Sequence, residues 1–331
     1  MTDYKGVSVF CEVKSGAVMP IAFEGLGVGR KLADALGQEL SAIIFGSGAG
    51  SLGQQAIAHG ADKVYVINEA QLNEYQPDLY LLALENAVNQ VKPQVIIMGQ
   101  TDNGRELAAR LAFRLHTEAT LDCVDLGIDA ETKRLLQTKP VYGGNAQAVI
   151  VTETDPQVVT IRTKAFSALA PDASRKGETI ALQPMDLSAV KTRITNRVVE
   201  DVAGIKIEDA RVVVAGGRGI GSAEGFKQLE ELAKLLKGAV GASRPPCDNN
   251  WIPDTAQVGL TGKIIAPEVY FAIAISGSSQ HMSGCSGSKT IVAINKDPEA
   301  NIFKVAQYGV VGDWKKVIPA LIQKVKELSA G

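Results

Sequence analysis

The sequence is poor in aromatics, cysteine and histidine, and it has neither a charge surplus nor a long apolar run. Aromatic residues make up 5% of the 331 positions, too few for an aromatic-rich sandwich core and better suited to α/β packing. The four cysteines, Cys11, Cys123, Cys247 and Cys285, are scattered and form no C-x-x-C pair. That argues against a metal or iron–sulfur cluster and for a reducing compartment. The three histidines, His59, His116 and His281, lie far apart, so neither a metal site nor a serine-type triad gains support. Lys and Arg (34) nearly balance Asp and Glu (36), a formal charge of −2, which removes any strong pull toward nucleic acid or anionic lipid. No apolar run nears the roughly 18 residues needed to span a bilayer. The first five residues lack the basic-then-apolar order of a secretory signal. The expectations are no nucleic acid, no membrane insertion, no metal and a cytoplasmic location.

What is present is glycine, at 33 positions, and apolar side chains, at 46%. At about 100–200 residues per domain, this is enough for two cores. The first part alternates strand and helix. Runs at 7–13, 40–45, 63–67 and 94–98 read as strands. Segments 29–36, 54–59, 78–91 and 104–115 carry helical spacing, with Leu81, Leu82, Leu84 and Val88 facing inward on the third. This βαβ alternation predicts a largely parallel, nucleotide-hydrolase-like sheet. Beyond 121 the pattern changes. Short β-like runs at 146–153 and 157–164, with Gly and Pro between them, predict an antiparallel extension. Residues 171–207 are polar and poorly periodic. The expected organisation is an N-terminal α/β domain over 1–190, a linker over 191–207 and a C-terminal doubly wound parallel-sheet domain over 208–331.

The C-terminal domain concentrates the chemistry. A strand at 211–215 runs into Gly216-Gly217-Arg218-Gly219-Ile220-Gly221. A helix over 222–236 follows, with Phe226, Leu229, Leu232, Ala233 and Leu236 at helical spacing. Strand, glycine turn and helix together can cradle a phosphate, because the backbone approaches closely and the helix start offers free N–H groups. The spacing is not a strict G-x-G-x-x-G, and an ordinary tight turn reads the same way.

Other strand-like runs also end in polar clusters. The run 238–242 ends in Ser243-Arg244, and 270–275 ends in Ser276-Gly277-Ser278-Ser279-Gln280-His281. The run 290–294 ends in Asn295-Lys296-Asp297, and 308–311 in Gly312-Asp313, where a final helix starts. In a parallel sheet these ends share the carboxyl edge, where doubly wound folds bind ligands. A loop at 259–262 would lie nearby. Small residues with backbone N–H groups suit a pyrophosphate. Asn295 and Asp313 suit hydroxyls or a base edge, and Arg218, Arg244 and His281 are cationic or potentially cationic. No nucleophile–base–orienter set is visible. Many donors without a nucleophile fit a large anionic cofactor that brings its own chemistry. A nucleotide-binding module with no redox role also remains open.

These stretches resemble the α subunit of the electron transfer flavoproteins, the FixB type included. The resemblance is carried by Gly216-Gly217-Arg218-Gly219, Gly241-Ala242-Ser243-Arg244 and Val258-Gly259-Leu260-Thr261-Gly262-Lys263. It is carried further by Ile275-Ser276-Gly277-Ser278-Ser279-Gln280-His281 and Ile294-Asn295-Lys296-Asp297-Pro298-Glu299. It implies one FAD in the C-terminal domain, at an interface with a smaller β subunit. It also implies an electron carrier rather than a stand-alone catalyst, passing single electrons between acyl-CoA dehydrogenase-type proteins and another redox partner. The alternative is a subunit of an electron-bifurcating, NADH-linked complex.

By the same resemblance, Gly217, Arg218, Ser243, Asn295 and Asp313 would hold the adenosine and diphosphate side, together with Ser276, Gly277, Ser278, Ser279, Gln280 and His281. Trp314 is counted with them, although packing is its ordinary role. Arg244 would lie against the isoalloxazine ring, Thr261 near its N5 and His281 near its O2, with Val258, Gly259 and Leu260 alongside. Arg244 and His281 would then favour the negative charge that reduction places on the ring. Leu260 stands where the family commonly has Gln, which removes one polar contact. Cys285, close behind His281, is a candidate oxidant sensor, with simple burial as the commoner role of such a thiol.

Overall fold

The computed structural model describes residues 3–144, 146–183, 186, 190–196 and 205–329. The chain divides into two compact units, Met1–Pro140 with Gln147–Val198, and Val141–Ala146 with Val199–Gly331. Of the expected linker over 191–207, residues 197–204 lie outside the described residues.

The first unit opens with β1 (Val7–Phe10), a small hairpin of β2 (Val13–Lys14) and β3 (Ala17–Val18), and α1 (Pro20–Leu36). There follow β4 (Leu40–Phe45), α2 (Ala49–Ala58), β5 (Lys63–Ile67), α3 (Pro77–Val91), β6 (Val95–Gly99), α4 (Asp102–Arg114) and β7 (Ala119–Cys123). Next come β8 (Asp125–Ile128), β9 (Leu135–Val141), β10 (Ala146–Ile150), β11 (Gln157–Ile161) and β12 (Glu178–Ala181). The main sheet has the order β12-β5-β4-β1-β6-β11-β7, and every pairing in it is parallel. The chain moves outward from β1 through β4 to β5, then returns to β6 on the other side of β1. Helices cover both faces, α1 and α2 with one apolar cluster and α3 and α4 with the other.

Local chemistry sets the helix starts. Pro77 occupies the first turn of α3, and the Gln76 side chain accepts the N–H of Leu79. Thr101 Oγ1 accepts the N–H of Gly104 at 2.8 Å and caps α4. Each satisfies a backbone donor that the helix cannot. The polar stretch before 197 is also held: the Thr192 hydroxyl donates to Asp78 Oδ2 at 2.9 Å.

The antiparallel extension is β8, β9 and β10, in the sheet order β10-β9-β8. The run beginning at Gln157, grouped with the antiparallel runs in the sequence reading, instead enters the parallel sheet as β11, between β6 and β7. The reason is burial on both faces: all five of its residues are buried, as a parallel strand flanked by helices requires.

The second unit holds β13 (Val212–Gly216), α5 (Ala223–Leu235), β14 (Ala239–Ala242), α6 (Arg244–Asp248), β15 (Val269–Ile273), α7 (Ser279–Cys285), β16 (Thr290–Asn295), β17 (Tyr308–Val311) and α8 (Trp314–Ser329). Its five strands run in the order β14-β13-β15-β16-β17, all parallel. The first and third strands are adjacent, so the chain reverses direction between β13 and β15. That is the topological switch point of a doubly wound fold. On one face α5 and α8 pack Phe226, Leu229, Leu232, Ile318 and Ile322 onto the sheet. Burying each such side chain contributes roughly 1.5–3 kcal/mol. On the other face Met282 and Cys285 of α7 join Val258 and Ile265 against Tyr270 and Ala272. Among the described residues, no helix is long and apolar enough to cross a membrane.

Candidate functional site

All the polar clusters singled out in the sequence lie past the carboxyl ends of the five parallel strands, or in the loop between β14 and β15. At the switch point, the Gly217 N–H donates to the carbonyl of Ile273 at 2.8 Å. A Cβ at Gly217 would meet the carbonyl oxygen of Ala274 at 2.1 Å, so only glycine permits this approach of two backbones. The turn continues through a short 3-10 segment, Arg218–Ile220, and Ser222 Oγ then accepts the Gly225 N–H at 3.4 Å to open α5. Trp314 is nearly buried, and its indole Nε1–H donates to the carbonyl of Gly219 at 3.0 Å. It therefore shapes the glycine turn from α8. Arg218 is exposed and has no ion-pair partner among the described residues.

Beyond β14, Ser243 donates its N–H to Gly216 at 3.0 Å and precedes α6. The Arg244 side chain is exposed and, among the described residues, pairs with Asp248 at 3.3 Å across one helical turn. The loop that returns toward β15 carries Val258, Gly259, Leu260 and Thr261. Val258 is buried, its N–H donating to Ala242 at 2.8 Å. Leu260 is 59% exposed, an apolar side chain presented to solvent on this rim. The Thr261 hydroxyl accepts from Gln257 Nε2 at 3.0 Å.

Beyond β15, Ala274 takes a left-handed φ of 53° and turns the chain into the loop of Ser276, Gly277 and Ser278. Gly277 has φ 81°, and a Cβ there would meet the backbone nitrogen of Ile302 at 2.4 Å. Ser278 then precedes α7, whose first N–H groups lack helical partners. Asn295, at the end of β16, donates to the carbonyl of Ile275 at 2.9 Å. Asp313 is exposed and accepts the N–H of Lys315 at 3.0 Å where α8 begins.

His281 differs from its expected state. Both ring nitrogens are engaged inside the unit, Nδ1 with the carbonyl of Val258 at 3.0 Å and Nε2 with the phenol of Tyr270 at 2.8 Å. A carbonyl only accepts, so Nδ1 carries the proton and Nε2 accepts from the Tyr270 O–H. Burial lowers its pKa to about 4, so the ring is neutral at pH 7 rather than the positive charge expected beside a flavin. Burial likewise holds the Tyr270 phenol well above its ordinary range. Cys285 is buried and its thiol is pushed up to about 12 by that burial, the reverse of what a reactive sensor needs. Cys247 is also buried, with a thiol raised to about 11. Among the described residues, no group of three or more His, Cys, Asp and Glu side chains could hold a metal ion.

Tyr270 and Gln257 were missed in the sequence. A tyrosine inside a buried strand needs a partner for its hydroxyl, and that need was the available signal. As a donor set the rim fits a flavin nucleotide. It offers backbone N–H groups and serine hydroxyls near the switch point, two exposed guanidiniums, and an amide and a carboxylate toward β16 and α8.

Residues 7–187 match the electron transfer flavoprotein domain, and residues 206–286 match the electron transfer flavoprotein FAD-binding domain. The electron transfer flavoprotein subunit alpha of Thermoanaerobacterium thermosaccharolyticum is 43% identical over 330 residues, which covers 99% of this chain and 100% of the relative. The chain belongs to the electron transfer flavoprotein alpha-subunit family. The alpha subunit of Megasphaera elsdenii is 42% identical over 331 residues, covering 99% of this chain and 98% of its own. The FixB protein of Clostridium saccharobutylicum is 40% identical over 333 residues, with the same coverage of 99% and 98%. Within this electron transfer flavoprotein alpha chain, residues 206–286 of the doubly wound second unit match the FAD-binding domain, and electron transport is the activity the family serves.

Proposed function

We propose that this chain binds one FAD along the carboxyl edge of its five-stranded sheet. Paired with a β subunit, it passes single electrons between acyl-CoA dehydrogenase-type proteins and another redox partner. The observation that carries this reading is convergence. Gly217, Ser243, Ser276 and Asn295 follow or end four different strands, and all lie at one edge beside Arg218, which lacks an ion-pair partner among the described residues. When bound, the flavin supplies the redox chemistry.

The chain's own residues bind and tune. Gly217 and Arg218 at the start of α5, with Ser276, Gly277, Ser278, Ser279 and Gln280, take the diphosphate with N–H, hydroxyl and guanidinium donors. Asn295 and Asp313 serve the adenosine side, with Trp314 holding the turn beneath it. Ser243 joins the adenosine and diphosphate side, while Arg244, Val258, Gly259, Leu260 and Thr261 serve the ring side. Arg244 carries the positive charge that favours a reduced, negatively charged ring. His281 lines the ring side as a neutral group whose two ring nitrogens are engaged by Val258 and Tyr270. The name "subunit alpha" of the relatives supports a second subunit here. Buried free thiols support a reducing cytoplasm.

The test is co-expression with a β subunit. The reading expects FAD in a one-to-one ratio with this chain, and electron transfer from an acyl-CoA dehydrogenase-type donor. A colourless complex contradicts it. NADH oxidation that requires both a low- and a high-potential acceptor would instead assign the chain to a bifurcating complex.

A further inference from the structure

The loop expected at the flavin ring is not supported by its own residues alone. Val258 passes its N–H to Ala242 at the end of β14 and receives the Nδ1–H of His281 on its carbonyl at 3.0 Å. The next contact reinforces the first: the Leu260 N–H donates to the carbonyl of Gln280 at 2.8 Å. Gly259 packs so tightly on α7 that a Cβ at Gly284 would lie 2.3 Å from the Gly259 nitrogen. The loop and the start of α7 therefore move as one piece. What fixes His281 within that piece comes from the middle of the sheet. Tyr270, fully buried on β15, places its hydroxyl 2.8 Å from Nε2.

We propose that Tyr270 is a positioning residue for the flavin site. The Val258 carbonyl fixes the Nδ1–H tautomer of His281, the phenol of Tyr270 donates to the bare Nε2 and anchors the ring, and the anchored ring holds the Val258 carbonyl and so sets Leu260 and Thr261. Nothing in the sheet requires a hydroxyl at this position. Phenylalanine would fill the same space and leave Nε2 of His281 without its donor. A buried hydroxyl without a partner is costly, and this one has two partners on α7, the bare Nε2 of His281 and the Cys285 thiol. The imidazole cannot satisfy both bonds in the other tautomer, since Nδ1 would then face a carbonyl without a proton. A hydroxyl beneath the sheet thereby governs two residues on its rim.

This inference rests on the flavin reading for its redox consequence but not for its tautomer. The experiment has two arms on the full chain in complex with its β subunit. In the first, ¹⁵N-histidine labelling distinguishes the tautomers of the three histidines at neutral pH, with His281→Asn assigning the signal. The expected result is a neutral Nδ1–H ring at His281 in the parent, with the signal of the unprotonated Nε2 shifted in Tyr270→Phe by loss of the hydrogen bond it accepts. An Nε2–H ring in the parent overturns the proposal, whether or not flavin is bound. In the second arm the midpoint potential of the bound flavin is measured in the parent, in Tyr270→Phe, in His281→Asn and in the double variant. Tyr270→Phe is expected to change the relative affinity for oxidised and reduced flavin about fivefold, roughly 40 mV for one electron. The change should vanish in the His281→Asn background. An unchanged potential in Tyr270→Phe, or an equal shift in both backgrounds, overturns it. If Tyr270→Phe does not fold, the Nε2 chemical shift of the parent decides: a hydrogen-bonded acceptor nitrogen supports the proposal and a free one overturns it. A complex without flavin contradicts the proposed function and leaves the tautomer arm to decide this inference.

Discussion

Asn295 ties two strand ends together: its Nδ2 donates to the carbonyl of Ile275 at 2.9 Å while its Oδ1 accepts the N–H of Asp297 at 3.0 Å. The first bond holds the chain where the loop of Ser276 leaves β15. The second shapes the turn after β16. One side chain thus fixes the spacing of two neighbouring rim segments. Asn295→Ala leaves the buried Ile275 carbonyl without its donor, at a cost of about 1–3 kcal/mol. The expected outcome is a lower urea midpoint with an unchanged m-value, and FAD retention weakened by roughly tenfold. Equal midpoints for the two proteins would show that the bond carries nothing.

Gly217→Ala is expected to be worse than an ordinary surface change. The new Cβ would meet the Ala274 carbonyl at 2.1 Å, backbone against backbone, with no flexible side chain to yield. Overpacking of this kind costs typically about 1–3 kcal/mol and can cost more. A thermal melt should show a clear loss, accompanied by poor flavin content. A variant that melts with the parent would mean that the turn relaxes freely.

His281 makes the second unit sensitive to acid. In the folded chain its pKa is about 4 because the ring is buried, whereas unfolded histidine titrates near 6.5. Between these values the unfolded chain takes up a proton that the folded chain refuses. Stability is therefore complete above about 6.5 and falls as the pH drops toward 4, by an amount on the order of 3 kcal/mol. Both tryptophans, Trp251 and Trp314, lie in this unit, so their fluorescence follows its unfolding. The parent should lose stability between pH 7 and pH 5, and His281→Asn should lose less. Identical slopes would contradict the buried neutral ring.

Arg244 is expected to tune the flavin by charge rather than by stabilising the fold. Its side chain is exposed and, among the described residues, pairs with Asp248 at 3.3 Å, so Arg244→Ala should leave the melting temperature nearly unchanged. It should lower the flavin midpoint potential by roughly 60 mV, which corresponds to about 1.4 kcal/mol for one electron. Arg244→Lys keeps the charge and should recover part of the shift. An unaltered redox titration of the alanine variant would remove Arg244 from the ring side.

The sequence revealed strands where burial on both faces makes them apolar throughout. Leu40–Phe45 is buried at every position, and its limits follow from the residues. Strand β12 was illegible because Glu178–Ala181 is an exposed, polar edge that joins the sheet through backbone pairing alone. The first half of α1 was also missed. Glycine weakens a helical pattern, yet a Cβ at Gly25 would meet Val9 Cγ1 at 3.0 Å, so the helix needs small residues to lie close to the sheet. The rim residues were legible because each follows a strand that could be read. The state of His281 was not, because it depends on Tyr270 from a different element. Positive charge was inferred from residue type, and burial removed it.

The most direct test of the central claim is hydrogen–deuterium exchange on the chain in complex with its β subunit, with FAD bound and after its removal. The account predicts that FAD slows exchange at residues 217–221, 258–262 and 276–281 of the second unit. Protection confined to the carboxyl edge of the first unit's sheet, with these three segments unchanged, would contradict it.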